Sequence, residues 1–367
     1  MDREILENAC YLEWDITNSL EFREFILRFP TIQYSSFVLC IITCIIGLPA
    51  NIIVILVTGF LMKKNKYKIW FLNLALADFT FLLIQALTAA SVMEGKWSYG
   101  SSVCKLYHFF TFVNMYAGIY ILTALNIDRA LSVTKPIWHL KFLSKKFCWS
   151  VCAAIWVTSA ICNIPTIIYS DVHEIYSEYK LCALSYNQQH KSVESSSDYS
   201  LQNQPSQSDS LPVQRELCRN FTNNMEITAE VVTDLAILKE ARFSVLHFVG
   251  PLSVFGYIIP LCAILFSNII IAFHVKNLKM VASSRLYRVV ILEVMSFFCV
   301  RTPYVCACFL YWLYLFTLQY TLMFKVSLFQ PPLYFISATN SLLNPVVYVL
   351  VGKQVWSELI RFFRKTK

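Results

Sequence analysis

Asn344-Pro345-Val346-Val347-Tyr348 lies inside a long apolar run, where each of its polar members is out of place. A proline within a helix costs about 3 kcal/mol and frees a backbone carbonyl. Such a cluster is tolerated at membrane depth only where it faces a bundle interior holding water or partner helices. The motif therefore specifies a polar, movable joint in a membrane helix. Asp78, closing Leu74-Ala75-Leu76-Ala77-Asp78, and Arg301, in Val300-Arg301-Thr302-Pro303, pose the same problem. A charge in an apolar run costs about 3 kcal/mol on insertion scales, so each needs a partner. These groups suit binding and switching rather than bond-making. No Ser-His-Asp set, phosphate loop or paired-carboxylate arrangement stands in a plausible pocket, so the chain reads as a non-enzyme. No Cys/His spacing fits a zinc site.

The elements that position these residues are membrane spans. The 367 residues are 57% hydrophobic and 15% charged with only 8 glycines, which excludes an ordinary soluble domain. Apolar stretches long enough to cross hydrocarbon, roughly 20 residues each, fall at Phe37–Leu61, Ile69–Met93, Leu106–Ile127, Phe147–Tyr169, Phe243–Phe273, Val289–Leu315 and Met323–Val351. Basic residues follow the first, third and fifth of them (Lys63, Lys64, Lys66; Lys135, Lys141, Lys145; Lys276, Lys279, Arg285) and gather again near Arg361 and Arg364. The arm before the first span is acidic on balance, so the positive-inside rule puts it outside the cell. The net charge of +8 is then mostly a cytoplasmic rim, and nucleic acid is not implied. The first thirty residues lack an apolar signal core, and the first span is expected to serve as the anchor. The expected fold is an all-α membrane protein, a seven-helix bundle over 37–351 behind an extracellular arm at 1–36. At 352–367, Val355, Trp356, Leu359, Ile360 and Phe363 recur at helical spacing among basic residues, which predicts a short interfacial eighth helix on membrane lipid, then a very short tail.

Between the fourth and fifth spans runs a long outer loop, 170–242, whose Ser/Gln/Asp-rich stretch at 192–210 predicts disorder. Asn220-Phe221-Thr222 is a glycosylation acceptor there. Of the 13 cysteines, nine lie in apolar runs and read as small buried hydrophobes, while Cys10, Cys104, Cys182 and Cys218 fall outside, where disulfides form.

Taken in order, the landmarks resemble those of the rhodopsin-like (class A) G protein-coupled receptors. They are Asn51 after Gly47-Leu48-Pro49-Ala50, Asp78 in the second span, Asp128-Arg129 ending the third, Trp156 and Pro165, Pro260, Pro303, and Asn344-Pro345-x-x-Tyr348. Trp97-Ser98-Tyr99-Gly100 ahead of Cys104 is similar to the family's first outer loop. Asn114-Met115-Tyr116-Ala117, Lys135-Pro136-Ile137-Trp138 and Ser283-Ser284-Arg285 resemble the chemoattractant branch, which includes formyl peptide and complement anaphylatoxin receptors.

The resemblance implies several roles. Cys104 and Cys182 would be bridged, leaving Cys10 and Cys218 either paired or free. Asp78, Asn114, Asn340, Ser341 and Asn344 would form a cavity for water and Na+, or a polar knot without the ion; the family's usual serine four residues after Asn114 is Gly118. Arg129 would be a latch paired with Asp128 that opens to a G protein, with Pro303, Asn344, Pro345 and Tyr348 as moving parts; a lipid-facing anchor is the plainer reading. Two tyrosines that usually hold the open state are replaced by Ala130 and Asn268. The ligand pocket would include Phe112, Tyr116, Arg301 and Tyr304, with Arg301 where a tryptophan is usual. It would hold either a neighbouring polar side chain or an anionic ligand group. Tyr176, Tyr179 and Tyr199 beside acidic residues are sulfation candidates. The reading is a plasma-membrane receptor passing an extracellular peptide or lipid chemoattractant signal to a heterotrimeric G protein of inhibitory type. The alternative is a non-signalling scavenger of such a ligand.

Overall fold

The structure, a computed structural model, describes residues 20–61, 68–94, 96–176, 179–184, 250–278, 299–314, 317 and 320–351, some through their backbone alone. Five helical stretches among them are long and apolar enough to cross a membrane: Pro30–Phe60, Lys68–Leu87, Gly100–Thr134, Lys145–Tyr169 and Val254–His274. The expected sixth span is helical over 299–314. The expected seventh is two helices, Tyr320–Ala338 and Asn340–Val351, rather than one. The interfacial helix at 352–367, the disorder at 192–210, Asn220, Cys10, Cys218 and Tyr199 lie outside the described residues.

Proline placement explains much of the local geometry. Val254–Ile258 is a π-helical turn in which Ile259 N–H reaches the Val254 carbonyl. The next residue in that register, Pro260, has no N–H to give Phe255. The Tyr120 hydroxyl of the third span donates to that Phe255 carbonyl at 2.9 Å. Pro345 repeats the device: it leaves the Ser341 carbonyl without its helical donor, and Asn51 Nδ2 of the first span supplies one at 3.0 Å. Each proline thus creates an acceptor that a neighbouring span fills, which ties helices together where lipid cannot.

The first five spans share one core, in which Val54, Trp70, Leu74, Ala117, Leu125, Cys148, Cys152 and Ile264 are buried together. Trp156 Nε1 donates to Asn73 Oδ1 at 3.2 Å, giving the fourth-span landmark its partner in the second. The cysteine expectation needs correction. Cys40, Cys44, Cys148 and Cys152 are buried, but Cys162, Cys262, Cys299 and Cys306 are exposed on the bundle's outer face. Hydrocarbon is as apolar as the core, so a cysteine is accommodated on either side.

Gly47 packs directly against the second span. A Cβ there would stand 2.5 Å from Leu82 Cδ1, and Leu82 is fully buried. We expect Gly47→Val to destabilise the bundle by about 1–3 kcal/mol through overpacking. The drop should show as a lower melting midpoint of purified protein, partly restored by Leu82→Ala; an unchanged midpoint would refute the close packing.

Among the described residues, one element beyond an all-α fold stands outside the helices. Ser170–Tyr176 and Tyr179–Leu184 form an antiparallel hairpin with Val172 opposite Cys182. The Trp97 amide donates to the Lys180 carbonyl at 2.7 Å, so the first outer loop is stitched to the second. Cys182 is bridged to Cys104 at the head of the third span. His108 Nδ1 lies 3.5 Å from Cys182 Sγ, but with both sulfurs in the bridge this trio is no metal site.

Candidate functional site

A cavity of about 300 Å³ runs down the bundle interior, lined from the second, third, fifth, sixth and seventh spans. Its upper wall carries Phe112, Tyr304 and Arg301 from the expected pocket, together with Tyr107, Tyr257 and Tyr334, which the sequence reading did not name. Tyr304 packs edge-on against Tyr334, ring centroids 5.6 Å apart. Gln85 Nε2 donates to the Tyr334 hydroxyl at 2.6 Å, and the Tyr257 and Thr302 hydroxyls share a 2.6 Å hydrogen bond. The wall is thus a set of phenols fixed by polar partners. Tyr116 is absent from this lining and stacks on Tyr120 instead, centroids 6.5 Å apart. On the third helix the turn that faces the cavity here is Thr111, Asn114, Met115 and Gly118. Residues at i, i+3, i+4 and i+7 share a face, and Tyr116 lies off it.

The floor gathers Asp78, Asn114, Asn340, Ser341 and Asn344 into the same cavity. Asn344 Nδ2 donates to Asp78 Oδ2 at 2.9 Å, and the Ser341 side chain bonds the same carboxyl group. Thr80 Oγ1 lies 2.7 Å from Asn114 Oδ1. The seventh span carries its interruption ahead of the Asn-Pro motif. The chain breaks at Thr339, which turns between the two helices, while Asn344 and Pro345 sit buried inside the second helix. The Asn51 donor to Ser341 explains why Pro345 does not itself break the helix. Tyr348 is helical, and its side chain lies outside the described residues.

The floor fits a sodium ion poorly. A hard cation asks for several free oxygens. Here one Asp78 oxygen is engaged by Asn344, Asn114 Oδ1 has Thr80, and Gly118 offers no hydroxyl although the space beside it is open to 3.9 Å. The guanidinium of Arg301, on the same cavity, already attracts Asp78.

At the inner end of the third span, Asp128 and Arg129 are both buried. Asp128 is held by partners the sequence reading missed. Trp70 Nε1 donates to its Oδ2 at 3.0 Å, and His139 Nε2 lies 2.6 Å from its Oδ1. The Arg129 guanidinium stands 5.9 Å from the centre of the Phe71 ring. Arg129 is thus buried within the bundle. Ala130 packs against Ile271 of the fifth span. Near it, both amide atoms of Asn268 are buried and have no hydrogen-bond partner among the described residues. Pro303 lies within the sixth helix, exposed on its outer face.

The described residues thus form an apolar helical bundle with a deep polar cavity, a disulfide-tied outer hairpin and a buried Asp-Arg sequence at its inner end. Residues 50–202 match the family model described as 7 transmembrane receptor (rhodopsin family). The chain is 36% identical to the C3a anaphylatoxin chemotactic receptor of Rattus norvegicus over 154 residues, 42% of this chain and 32% of that one. It is 25% identical to chemerin-like receptor 1 of Sus scrofa over 315 residues, 85% of this chain and 75% of that one. With the C5a anaphylatoxin chemotactic receptor 1 of Canis lupus familiaris it shares 32% identity over 152 residues, 41% of this chain and 43% of that one. The alignments to the two anaphylatoxin receptors thus span less than half of those proteins. Together these matches make the chain similar to rhodopsin-family receptors over residues 50–202 and to chemoattractant receptors beyond them. Its relatives are receptors, not enzymes, and it is a multi-pass membrane protein.

Proposed function

We propose that this protein is a plasma-membrane receptor, N-terminus outside, that passes the binding of an extracellular chemoattractant-type ligand, peptide or lipid, to a heterotrimeric G protein of inhibitory type. The observation that carries this reading is the single cavity joining the phenol-lined upper wall to Asp78 and Asn344. A ligand above and a seventh-span movement below then act on one contiguous set of side chains. Signalling is a population shift between two packings of the bundle, biased by the ligand's differential contacts. The bridge between Cys104 and Cys182 supports an oxidising, extracellular location for that end.

Asn268 fits such a two-packing bundle. A buried amide without a partner is destabilising by about 1–3 kcal/mol, so this packing carries a penalty that another could relieve. Asn268→Leu is expected to raise the melting midpoint of the ligand-free protein and to lower ligand-driven signalling. A lowered midpoint would show that Asn268 is satisfied in the resting bundle.

We further propose that Arg301 is the resident cation of the floor and takes the place a sodium ion would hold. The decisive experiment for the receptor reading is nucleotide exchange on purified inhibitory-type G protein, driven by the reconstituted chain with a panel of chemoattractant peptides and lipids. Saturable binding without exchange would replace this reading with that of a scavenger.

A further inference from the structure

The π-helical turn Val254–Ile258 of the fifth span turns its side chains two ways. Val254, Phe255 and Ile258 are exposed, while Gly256 and Tyr257 are buried. Tyr257 belongs to the common core and also lines the cavity, and its hydroxyl stands 2.6 Å from that of Thr302 on the sixth helix. That helix, 299–314, presents Arg301, Tyr304, Val305 and Cys308 to the cavity. Those positions follow the i, i+3, i+4, i+7 pattern of one helix face. Thr302 lies about 100° round the helix from Arg301, off that face and toward the fifth span. Apolar packing, such as that of Val305 against the core, has no preferred direction and lets a helix turn about its axis. A hydrogen bond weakens steeply out of line. The bond between Tyr257 and Thr302 therefore selects one rotation of the sixth helix.

We propose that Tyr257 is a positioning residue for the sixth span: through Thr302 it fixes the helix rotation at which Arg301 faces the cavity that also holds Asp78. Thr302 stands between Arg301 and Pro303, so the clasp acts on the residue next to the cavity's cation. Tyr257 lines the cavity and Thr302 does not, which leaves one member of the clasp within reach of whatever occupies that space. An occupant that takes the Tyr257 hydroxyl frees Thr302 and, with it, the rotation of the helix. Losing one neutral hydrogen bond shifts an equilibrium about fivefold. That is enough to change the populations of two bundle packings without unfolding either. The clasp deepens the receptor reading by naming a side-chain pair that biases those packings. Its rotation is measurable without ligand or G protein, so the two stand or fall separately.

The test is fluorine NMR of a trifluoromethyl label on Cys306, exposed one turn beyond Thr302. The full chain is reconstituted in lipid nanodiscs without ligand, with Cys162, Cys262 and Cys299 replaced by serine. Label signals are assigned by their loss in Cys306→Ser. Two resonances are expected, one for each rotation of the helix. Tyr257→Phe and Thr302→Val, which keep bulk and lose a hydroxyl, should each raise the minor resonance about fivefold relative to the major one. Combining the two should raise it no further, because both remove the same bond. Thr302→Ser keeps the hydroxyl and should stay close to wild type. An unchanged ratio in the single variants, a single resonance throughout, equal effects of Thr302→Val and Thr302→Ser, or a multiplicative rise in the double variant would each overturn the proposal. A lower melting midpoint with unmoved resonances would reduce the pair to a packing contact. Thr302→Val against Thr302→Ser decides the matter even if Tyr257→Phe fails to fold.

Discussion

Arg301→Gln should lower the melting midpoint of the ligand-free protein in a sodium-free choline buffer and make it rise again when sodium is added. The first effect follows from charge. Arg301 and Asp78 line one cavity with opposite charges, and removing one leaves the other less well compensated. The second effect follows from the vacancy this creates. With the guanidinium gone, Asp78 offers an anionic site, and an ion that binds only the folded state stabilises it by about 1 kcal/mol at five times its Kd. Wild type should be indifferent to sodium, because its cation is covalently attached. Asp78→Asn should be destabilised and sodium-indifferent, and Asp78→Asn with Arg301→Gln should be milder than the sum of the two. A wild type that sodium stabilises as strongly as Arg301→Gln would refute the resident-cation reading. Arg301→Trp tests the same side chain in signalling, since it replaces a charge-anchored element of the cavity wall by an apolar one; basal or ligand-driven exchange should change. If Arg301 also touches an anionic ligand, Arg301→Gln should weaken its binding about tenfold, or 1.4 kcal/mol.

What could be read before the structure follows from what hydrocarbon forbids. Asp78, Asn114, Asn340, Ser341 and Asn344 had to face inward because lipid offers them no partners, and they do converge on one cavity. The apolar residues carry no such information. Helices that are apolar all round do not reveal which face meets lipid, so the exposed Cys162, Cys262, Cys299 and Cys306 were indistinguishable from the buried ones. For the same reason Tyr116 could not be told from its cavity-facing neighbours. Departures inside the spans were hidden because their causes are long-range. Asn51 reaches across 290 positions to the Ser341 carbonyl and spares the helix at Pro345, so the break falls at Thr339. His139 has no part in the sequence expectation. Its signal was present, since a helix end, a proline-started turn and one further helical turn return position 139 to Asp128, 11 residues back. The hairpin at 170–184 was absorbed into the long loop, although Val172, Ile175 and Tyr176 on one side and Tyr179, Leu181 and Leu184 on the other are strand-compatible residues.

Cys104→Ala, Cys182→Ala and the double replacement should each remove most surface-displayed protein, and to the same extent. The bridge joins residues 78 positions apart. Closing a loop of that size removes roughly 4 kcal/mol of conformational freedom from the unfolded chain, a large share of the 5–15 kcal/mol typical of a folded domain. The bridge also locates what surrounds it. The hairpin holds the first outer loop through the Trp97 amide, and Asp171 accepts from the Ser101 hydroxyl at 2.5 Å. Without the bridge, bonds such as these must hold the hairpin at the head of the third span. A single replacement leaves one thiol unpaired, while the double leaves none, so equal losses would assign the effect to the missing tether. Recovery of display in the double variant would instead assign it to mispairing of the orphaned thiol. Display at wild-type level in all three variants, with an unchanged melting midpoint, would remove the bridge from the list of what holds the outer face together.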